Sequence, residues 1–318
     1  MAAALAHIRA HVRRTPVKRS SALDAVSGAR LYFKCENLQE TGSFKLRGAT
    51  HAVLGLDRAV AARGVAAHSS GNHALALAHA ARHRGIPCTV VMPRDAAAPK
   101  RVGVARLGAR IVSCAPGQAA RESALHAVLE RSGAAEIHPH DHPGVIAGQG
   151  TAALELFRQV PGGLDAVVVP VGGGGLLAGT VLAARLHGGL RVFGAEPLAV
   201  DDAARSLRRN RRQPPPQGES VADGLLTGLG AAAWEILRSG TEAILTVEEA
   251  QILAAMRLVR VHLGMGVEPS AAVALAAVLA HRPVFHGLRV GVILTGGNVD
   301  PARWGGILLP STGLEDVP

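Results

Sequence analysis

Short apolar runs, rich in β-branched residues, alternate along the chain with longer stretches dominated by Ala and Leu. The runs at 65–68, 89–92, 110–113, 166–170, 192–195, 243–246 and 290–294 read as strands. The stretches at 73–84, 119–132, 176–187, 248–262 and 270–281 lie between them and read as helices. This alternation predicts an α/β fold with a mostly parallel sheet and right-handed crossovers. Ligands of such sheets bind where strands end and helices begin, because a helix N-terminus offers unpaired N–H groups and positive potential. The strand ends are therefore the places to read for chemistry.

With 318 residues, 48% apolar and 18% charged, the chain can bury a sizeable core and is globular in class. Only 3% of residues are aromatic, which argues against base-stacking surfaces for single-stranded nucleic acid. A net charge of +10 raises the question of polyanions; the densest basic run holds Arg205, Arg208, Arg209, Arg211 and Arg212, ahead of Pro214, Pro215 and Pro216. Arginines are spread along the whole chain and no helix-turn-helix or zinc-finger spacing occurs. The run is read as a solvated surface connector, and no nucleic-acid partner is expected. Cys35, Cys88 and Cys114 are odd in number and widely spaced, which excludes a disulfide framework and a Cys-x-x-Cys metal site. The first residues hold too short an apolar stretch for a signal peptide, and the longest apolar run, 271–280, is about half a membrane span. A cytoplasmic protein with no membrane partner is expected.

Four motifs carry chemistry. The strand at 166–170 runs into Gly172, Gly173, Gly174 and Gly175, where N–H groups free of Cβ atoms can close around a phosphate. No Lys-Ser/Thr follows and the dinucleotide spacing fits poorly, so the competing reading is a tight structural turn. Lys45, in Thr41-Gly-Ser-Phe-Lys-Leu-Arg-Gly, stands among small and apolar neighbours. Partial desolvation would free its amine for Schiff-base chemistry, although a lone lysine at a helix start is more often a surface residue. His68-Ser-Ser-Gly-Asn-His brings Ser69, Ser70 and Asn72 to a helix N-terminus, suited to an anion or to simple capping. Leu294-Thr-Gly-Gly-Asn ends the last strand, where the Thr295 hydroxyl could bond a buried heteroatom or merely mark a turn.

Together and in this order, the motifs resemble the fold-type II pyridoxal-phosphate (PLP) enzymes, in particular the branch of serine racemases and threonine (serine) dehydratases. The similarity runs from Arg14-Thr-Pro-Val to Gly296-Gly-Asn and takes in Val145-Ile-Ala-Gly-Gln-Gly-Thr and Ser220-Val-Ala-Asp-Gly. It implies a tryptophan synthase β-like fold with two open, mostly parallel twisted sheets flanked by helices. It also implies a large PLP-binding domain at 1–63 and 142–318 and a small mobile domain at 64–141. By the same resemblance Lys45 would carry PLP, Gly172 to Gly175 would hold its phosphate, Asn72 its ring hydroxyl and Thr295 its pyridine nitrogen, with Phe44 against the ring. Ser69, Ser70, Asn72 and His73 would bind the substrate carboxylate, with Arg121 and His140 as further substrate contacts. Lys45 and Ser70 would be the catalytic groups, on opposite faces of the substrate α-carbon. A neutral hydroxyl at Thr295 leaves the ring a weaker electron sink than a carboxylate would, which favours prompt loss of a β-leaving group.

Glu196-Pro-Leu-Ala-Val-Asp-Asp has the spacing of a divalent-metal site in serine racemase-like enzymes. The resemblance implies ligation by Glu196, the Val200 carbonyl and Asp202, a hard oxygen set for Mg, Ca or Mn; an acidic helix start is the alternative. The chain departs from eukaryotic serine racemases at Glu40 and Gly264, where those use lysines toward a nucleotide, which leaves only Ser20, Ser21 and Asn298 compatible with one. It departs also at His140, where they usually have Asn, and at Leu107, where they often have Tyr. The expected activity is an ammonia-lyase (dehydratase) that converts threonine, serine or a bulkier β-hydroxy amino acid to a 2-oxo acid and ammonia. The alternative is a serine racemase with side dehydratase activity. A non-catalytic PLP-binding or nucleic-acid-binding protein on this fold is a third reading, against which the intact Lys45 and glycine loop argue. A small amino acid substrate and a homodimer follow from the resemblance.

Overall fold

A computed structural model describes residues 1–69, 71–96, 98–215, 218–300 and 304–306. Among these residues there are ten strands: β1 (Val17–Lys18), β2 (Arg30–Cys35), β3 (Val65–His68), β4 (Cys88–Pro93), β5 (Arg110–Cys114), β6 (Ala135–Glu136), β7 (Ala166–Pro170), β8 (Arg191–Pro197), β9 (Ala243–Val247) and β10 (Arg289–Leu294). They form two sheets. The larger runs β1-β2-β10-β7-β8-β9 and is parallel apart from the β1–β2 pair; the smaller runs β5-β4-β3-β6 and is wholly parallel. All seven strands read from the apolar pattern occur. The sequence reading missed β1, β2 and β6: two are only two residues long, and β2 hides behind Arg30, Tyr32 and Lys34.

Successive residues of a strand face opposite sides of its sheet. Along β7, Ala166 and Val168 join the core built on helix Pro269–Ala280, whereas Val167 and Val169 join the core of helices Pro143–Gln159 and Gly175–Ala184. Helix Pro269–Ala280, made almost wholly of small and aliphatic residues, lies against β7 to β10 on one side and helix Glu249–Leu263 on the other. The longest apolar run is thus central core, and no helix among the described residues is long and apolar enough to cross a membrane. All three cysteines are free and buried.

The Arg-rich run is not a simple connector. Its first half is helix Asp202–Arg208, which buries Ala203, Ala204 and Ser206 and pairs Arg205 with Asp201 at 2.8 Å. Buried small residues on one face outweighed the exposed arginines on the other.

In the small sheet the chain steps from β3 to β4 to β5 and then returns to the far side of β3 for β6. In the large sheet β7, β8 and β9 step one way while β10 lies on the other side of β7. Crevices form at the carboxyl ends of strands where the winding reverses. Those ends lead into Ser69, His138, the glycine loop and Thr295.

Candidate active site

Lys45 is the first residue of helix Lys45–Leu54. The turn before it is stitched to the end of β10: the Phe44 N–H donates to the Thr295 carbonyl at 3.0 Å, and Ser43 bridges to Gly296. Two residues on, the fully buried Arg47 donates to Glu36 (2.8 Å from Nε) and Glu155 (2.8 Å from Nη2). Lys34 Nζ meets Glu155 at 2.7 Å. Burial pushes Glu36 toward its neutral form, but the Arg47 guanidinium wins and holds it below the ordinary carboxylate value. Two cations and two anions thereby neutralise one another beneath the helix that presents Lys45.

The Lys45 Nζ donates to the Pro139 carbonyl at 2.9 Å and lies 5.1 Å from the Phe44 ring centroid. The residue as a whole is half-buried, yet protein surrounds the amine closely enough that burial lowers its pKa to about 8, against the opposing charge of Glu268. The lysine is thus withdrawn from solvent, as a Schiff-base lysine requires.

From Pro170 the chain turns through the four glycines into helix Gly175–Ala184. Gly174 has φ +83°, a left-handed conformation that favours glycine. A Cβ on Gly173 would collide with the His140 imidazole, and one on Gly175 would lie 2.6 Å from the His140 carbonyl oxygen. The loop is hemmed in and must be glycine for packing as well as for conformation. The helix behind it leaves its first N–H groups without intrahelical partners. The result is a cradle of a kind that holds a phosphate.

Asn72 opens helix Asn72–Arg84. Its Nδ2 donates to both oxygens of Glu268, and its Oδ1 accepts from Asn298 Nδ2 at 2.8 Å. Glu268, which the sequence reading missed, is buried, and burial pushes its carboxyl up to about 7. The available signal was a Glu-Pro pair just ahead of an apolar helix. His73 is buried with Nε2 2.8 Å from the Ile137 carbonyl. A carbonyl only accepts, so the proton is assigned to Nε2, and Nδ1 is a buried acceptor without a partner. Burial first, and Lys45 next, lower its pKa to about 3. Ser69 Oγ accepts from the Gly71 N–H at 3.3 Å. Ser70 lies outside the described residues.

Pro139 is flanked by His138 and His140, whose rings are 4.5 Å apart; the His68 ring is 6.5 Å from that of His138. His138 Nδ1 accepts from the Asp141 N–H at 2.9 Å, so its proton is assigned to Nε2. Burial, with Lys45 adding to it, lowers His140 to about 2, and burial with Arg121 lowers His68. Arg121 is half-buried, and its Nε is a buried donor without a partner. Neutral imidazoles at His138 and His140 therefore flank the Pro139 carbonyl that Lys45 bonds, with His68 beyond His138 and the Arg121 charge acting on His68. The sequence reading named His140 and Arg121 and passed over His68 and His138; the close repeat His138-Pro-His140-Asp-His142 was the signal.

Glu196 and Asp202 stand apart from this group, at the end of β8. The Glu196 carboxylate accepts from the Ala204 N–H at 2.6 Å and the Ala203 N–H at 3.3 Å; Asp202 Oδ2 accepts from the Leu229 N–H at 3.1 Å. Burial, reinforced by Asp202, pushes Glu196 up to about 8, and burial raises Asp202 as well. No cluster of three or more His, Cys, Asp or Glu side chains able to hold a metal occurs among the described residues. Two buried carboxylates and the carbonyl of the buried Val200 are nonetheless hard oxygen donors, and neither carboxylate is ion-paired among the described residues. That donor set fits a divalent cation.

Residues 8–296 match the family described as "Pyridoxal-phosphate dependent enzyme". The chain is 50% identical over 301 residues to a beta-hydroxyaspartate dehydratase of Paracoccus denitrificans, covering 94% of this chain and 95% of that one. It is 42% identical over 313 residues to an L-threo-3-hydroxyaspartate ammonia-lyase of Saccharomyces cerevisiae, covering 98% and 95%. The crystal structure of a serine racemase from Dictyostelium discoideum superposes with a TM-score of 0.90 at 42% identity, covering 94% and 97%.

Proposed function

This chain belongs to the pyridoxal-phosphate-dependent enzymes, in the group of ammonia-lyases and racemases, and on that premise we propose that it is an ammonia-lyase for a β-hydroxy amino acid of the 3-hydroxyaspartate type. The observation that carries the reading is the set of groups around the Lys45 amine. His138 and His140 flank the carbonyl that Lys45 bonds, His68 stands next to His138, and the Arg121 charge acts on His68, so a second substrate carboxylate would meet imidazoles and one positive charge there. Two relatives named for hydroxyaspartate support the same choice.

Lys45, Gly172 to Gly175, Asn72, Thr295 and Phe44 would hold pyridoxal phosphate. Bound there, it supplies an electron sink that weakens the bonds from Cα to hydrogen and from Cβ to oxygen. Lys45 takes the α-proton at Nζ; with a pKa of about 8, on the order of a tenth of the amine is already neutral at pH 7. Ser70 is assigned to the opposite face of Cα. The Ser69 hydroxyl and the backbone N–H groups of Asn72 and His73, at the start of helix Asn72–Arg84, hold the α-carboxylate, and His138 Nε2–H, His140 and Arg121 hold the second one. The net change is loss of the α-proton and the β-hydroxyl as water, then hydrolysis of the resulting enamine to a 2-oxo acid and ammonia. Glu196, Val200 and Asp202 would take Mg, Ca or Mn. Residues 64–141 form the small domain that closes over substrate and excludes water, against a large domain of 1–63 and 142–318. A cytoplasmic homodimer completes the reading.

The test offers serine, threonine and 3-hydroxyaspartate to the holoenzyme and follows 2-oxo acid beside circular dichroism. Keto acid released fastest from 3-hydroxyaspartate, and abolished in Lys45→Ala, is the expected result. Optical activity lost without keto acid would replace this reading with the serine racemase alternative, which the likeness to the Dictyostelium enzyme supports.

A further inference from the structure

Helix Ala231–Leu237 has no side-chain cap of its own at Gly230. Its first three N–H groups are satisfied instead by a carboxylate about 90 residues away in the chain. Asp141 Oδ2 accepts from Ala231 N–H at 2.9 Å, and Oδ1 accepts from Ala232 N–H at 2.9 Å and Ala233 N–H at 3.2 Å. Gly230 is where this approach is closest, since a Cβ there would collide with the Asp141 carboxylate.

The same helix forms the back wall of the glycine loop. A Cβ on Gly174 would lie 2.8 Å from Leu229, 3.1 Å from Ala233 and 3.2 Å from Leu237, and the Gly230 N–H donates to the Gly173 carbonyl at 3.1 Å. On the other side of the loop stands His140, the residue next to Asp141. A closed circuit results, running from Gly173 to Gly230, into the helix start, across to Asp141, through His140 and back to Gly173. Asp141 is the tertiary link that joins the front wall to the back.

We propose that Asp141 is a positioning residue that sets the spacing between His140 and helix Ala231–Leu237, and so holds the glycine loop open to the cofactor phosphate. The proposal rests on the assignment of Gly172 to Gly175 to that phosphate. A carboxylate suits the task because two oxygens serve three consecutive donors and its charge complements the helix dipole. A cap that served local stability alone would leave cofactor affinity untouched.

The test measures PLP dissociation constants and the phosphorus NMR shift of bound PLP for wild type, Asp141→Ala and Asp141→Asn, with melting temperatures beside them. Ser20→Ala, which removes the ordinary cap of helix Ser21–Ser27, is the stability control. Asp141→Ala is expected to weaken PLP binding about tenfold and to shift the phosphorus resonance. Asp141→Asn, with one accepting oxygen left, should fall between it and wild type, and Ser20→Ala should lower only the melting temperature. Should Asp141→Ala not fold, Asp141→Asn decides, since a dissociation constant equal to wild type overturns the proposal. An Asp141→Ala protein that melts earlier but binds PLP with wild-type affinity and shift likewise reduces Asp141 to a structural cap. Wild type that fails to bind PLP at all would remove the phosphate-loop assignment together with this proposal.

Discussion

The side-chain amide of Asn72 donates to both carboxylate oxygens of Glu268, each at 3.0 Å. The pair ties the helix that follows β3 to the N-cap of helix Pro269–Ala280, and so joins the small sheet to the large one at the site. Asn72 is oriented by a buried carboxylate whose charge also acts on Lys45.

That carboxylate titrates near neutrality. Burial raises it from 4.5 to about 7, so the folded state keeps a proton that the unfolded chain has released across that window. Stability should therefore fall as pH rises from 4.5 to about 7, by on the order of 3 kcal/mol. Glu268→Gln should lack this fall in urea melts at a series of pH values. It should also lose the inflection near pH 7 in kcat/KM and about tenfold in kcat/KM above it. A variant with the wild-type pH profile would acquit Glu268 of any role beyond packing.

Burial acts in the same direction on Glu196 and Asp202. With Glu196 raised to about 8 and no cation bound, stability should decline as pH rises from 4.5 to about 8. A divalent cation that takes the place of those protons should raise the melting temperature, more at about pH 8 than at about pH 6. Chelator should reverse the gain, and Glu196→Gln should abolish it. If Mg, Ca and Mn all leave the melting temperature of chelated protein unmoved at both pH values, the metal assignment is wrong.

His140 stands against the glycine loop and beside His138. His140→Asn should raise KM for 3-hydroxyaspartate about tenfold while leaving KM for serine within about twofold, a split that a general packing defect would not produce. Equal losses for both substrates would take the second carboxylate away from this residue.

Arg47 is buried with Glu36 and Glu155, and among the described residues only Lys34 would be left to balance two carboxylates if it were removed. Arg47→Met should cost about 3–5 kcal/mol in urea unfolding, because it leaves an uncompensated buried charge. A loss below about 1 kcal/mol would mean that water or a proton already compensates the pair.

Much of this site was legible in local sequence. The four glycines, Ser69 and Thr295 each follow an apolar strand whose period places its end along the chain, and Lys45 stands at a helix start. Glu268, His138 and Asp141 were not legible in that way. Their roles depend on Asn72, His140 and the N–H groups of Ala231 to Ala233, from which all but one of the pairings are separated by about 90 to 200 residues. The Arg205–Arg212 run misled for a related reason, since its buried face of Ala203, Ala204 and Ser206 counts only once the helix has something to pack against.

What the sequence by itself determined was the kind of chemistry and the elements that carry it. Hydrophobic period selects strand or helix, and glycine at a strand end or lysine at a helix start is a local choice that survives in any reading of the chain. What only the tertiary structure decided was the state of those groups: which proton His73 and His138 hold, how far Lys45 and Glu268 are shifted, and which carboxylate caps which helix. Those properties follow from burial and from charges brought close by folding, and a desolvation energy has no value until the surrounding atoms are in place.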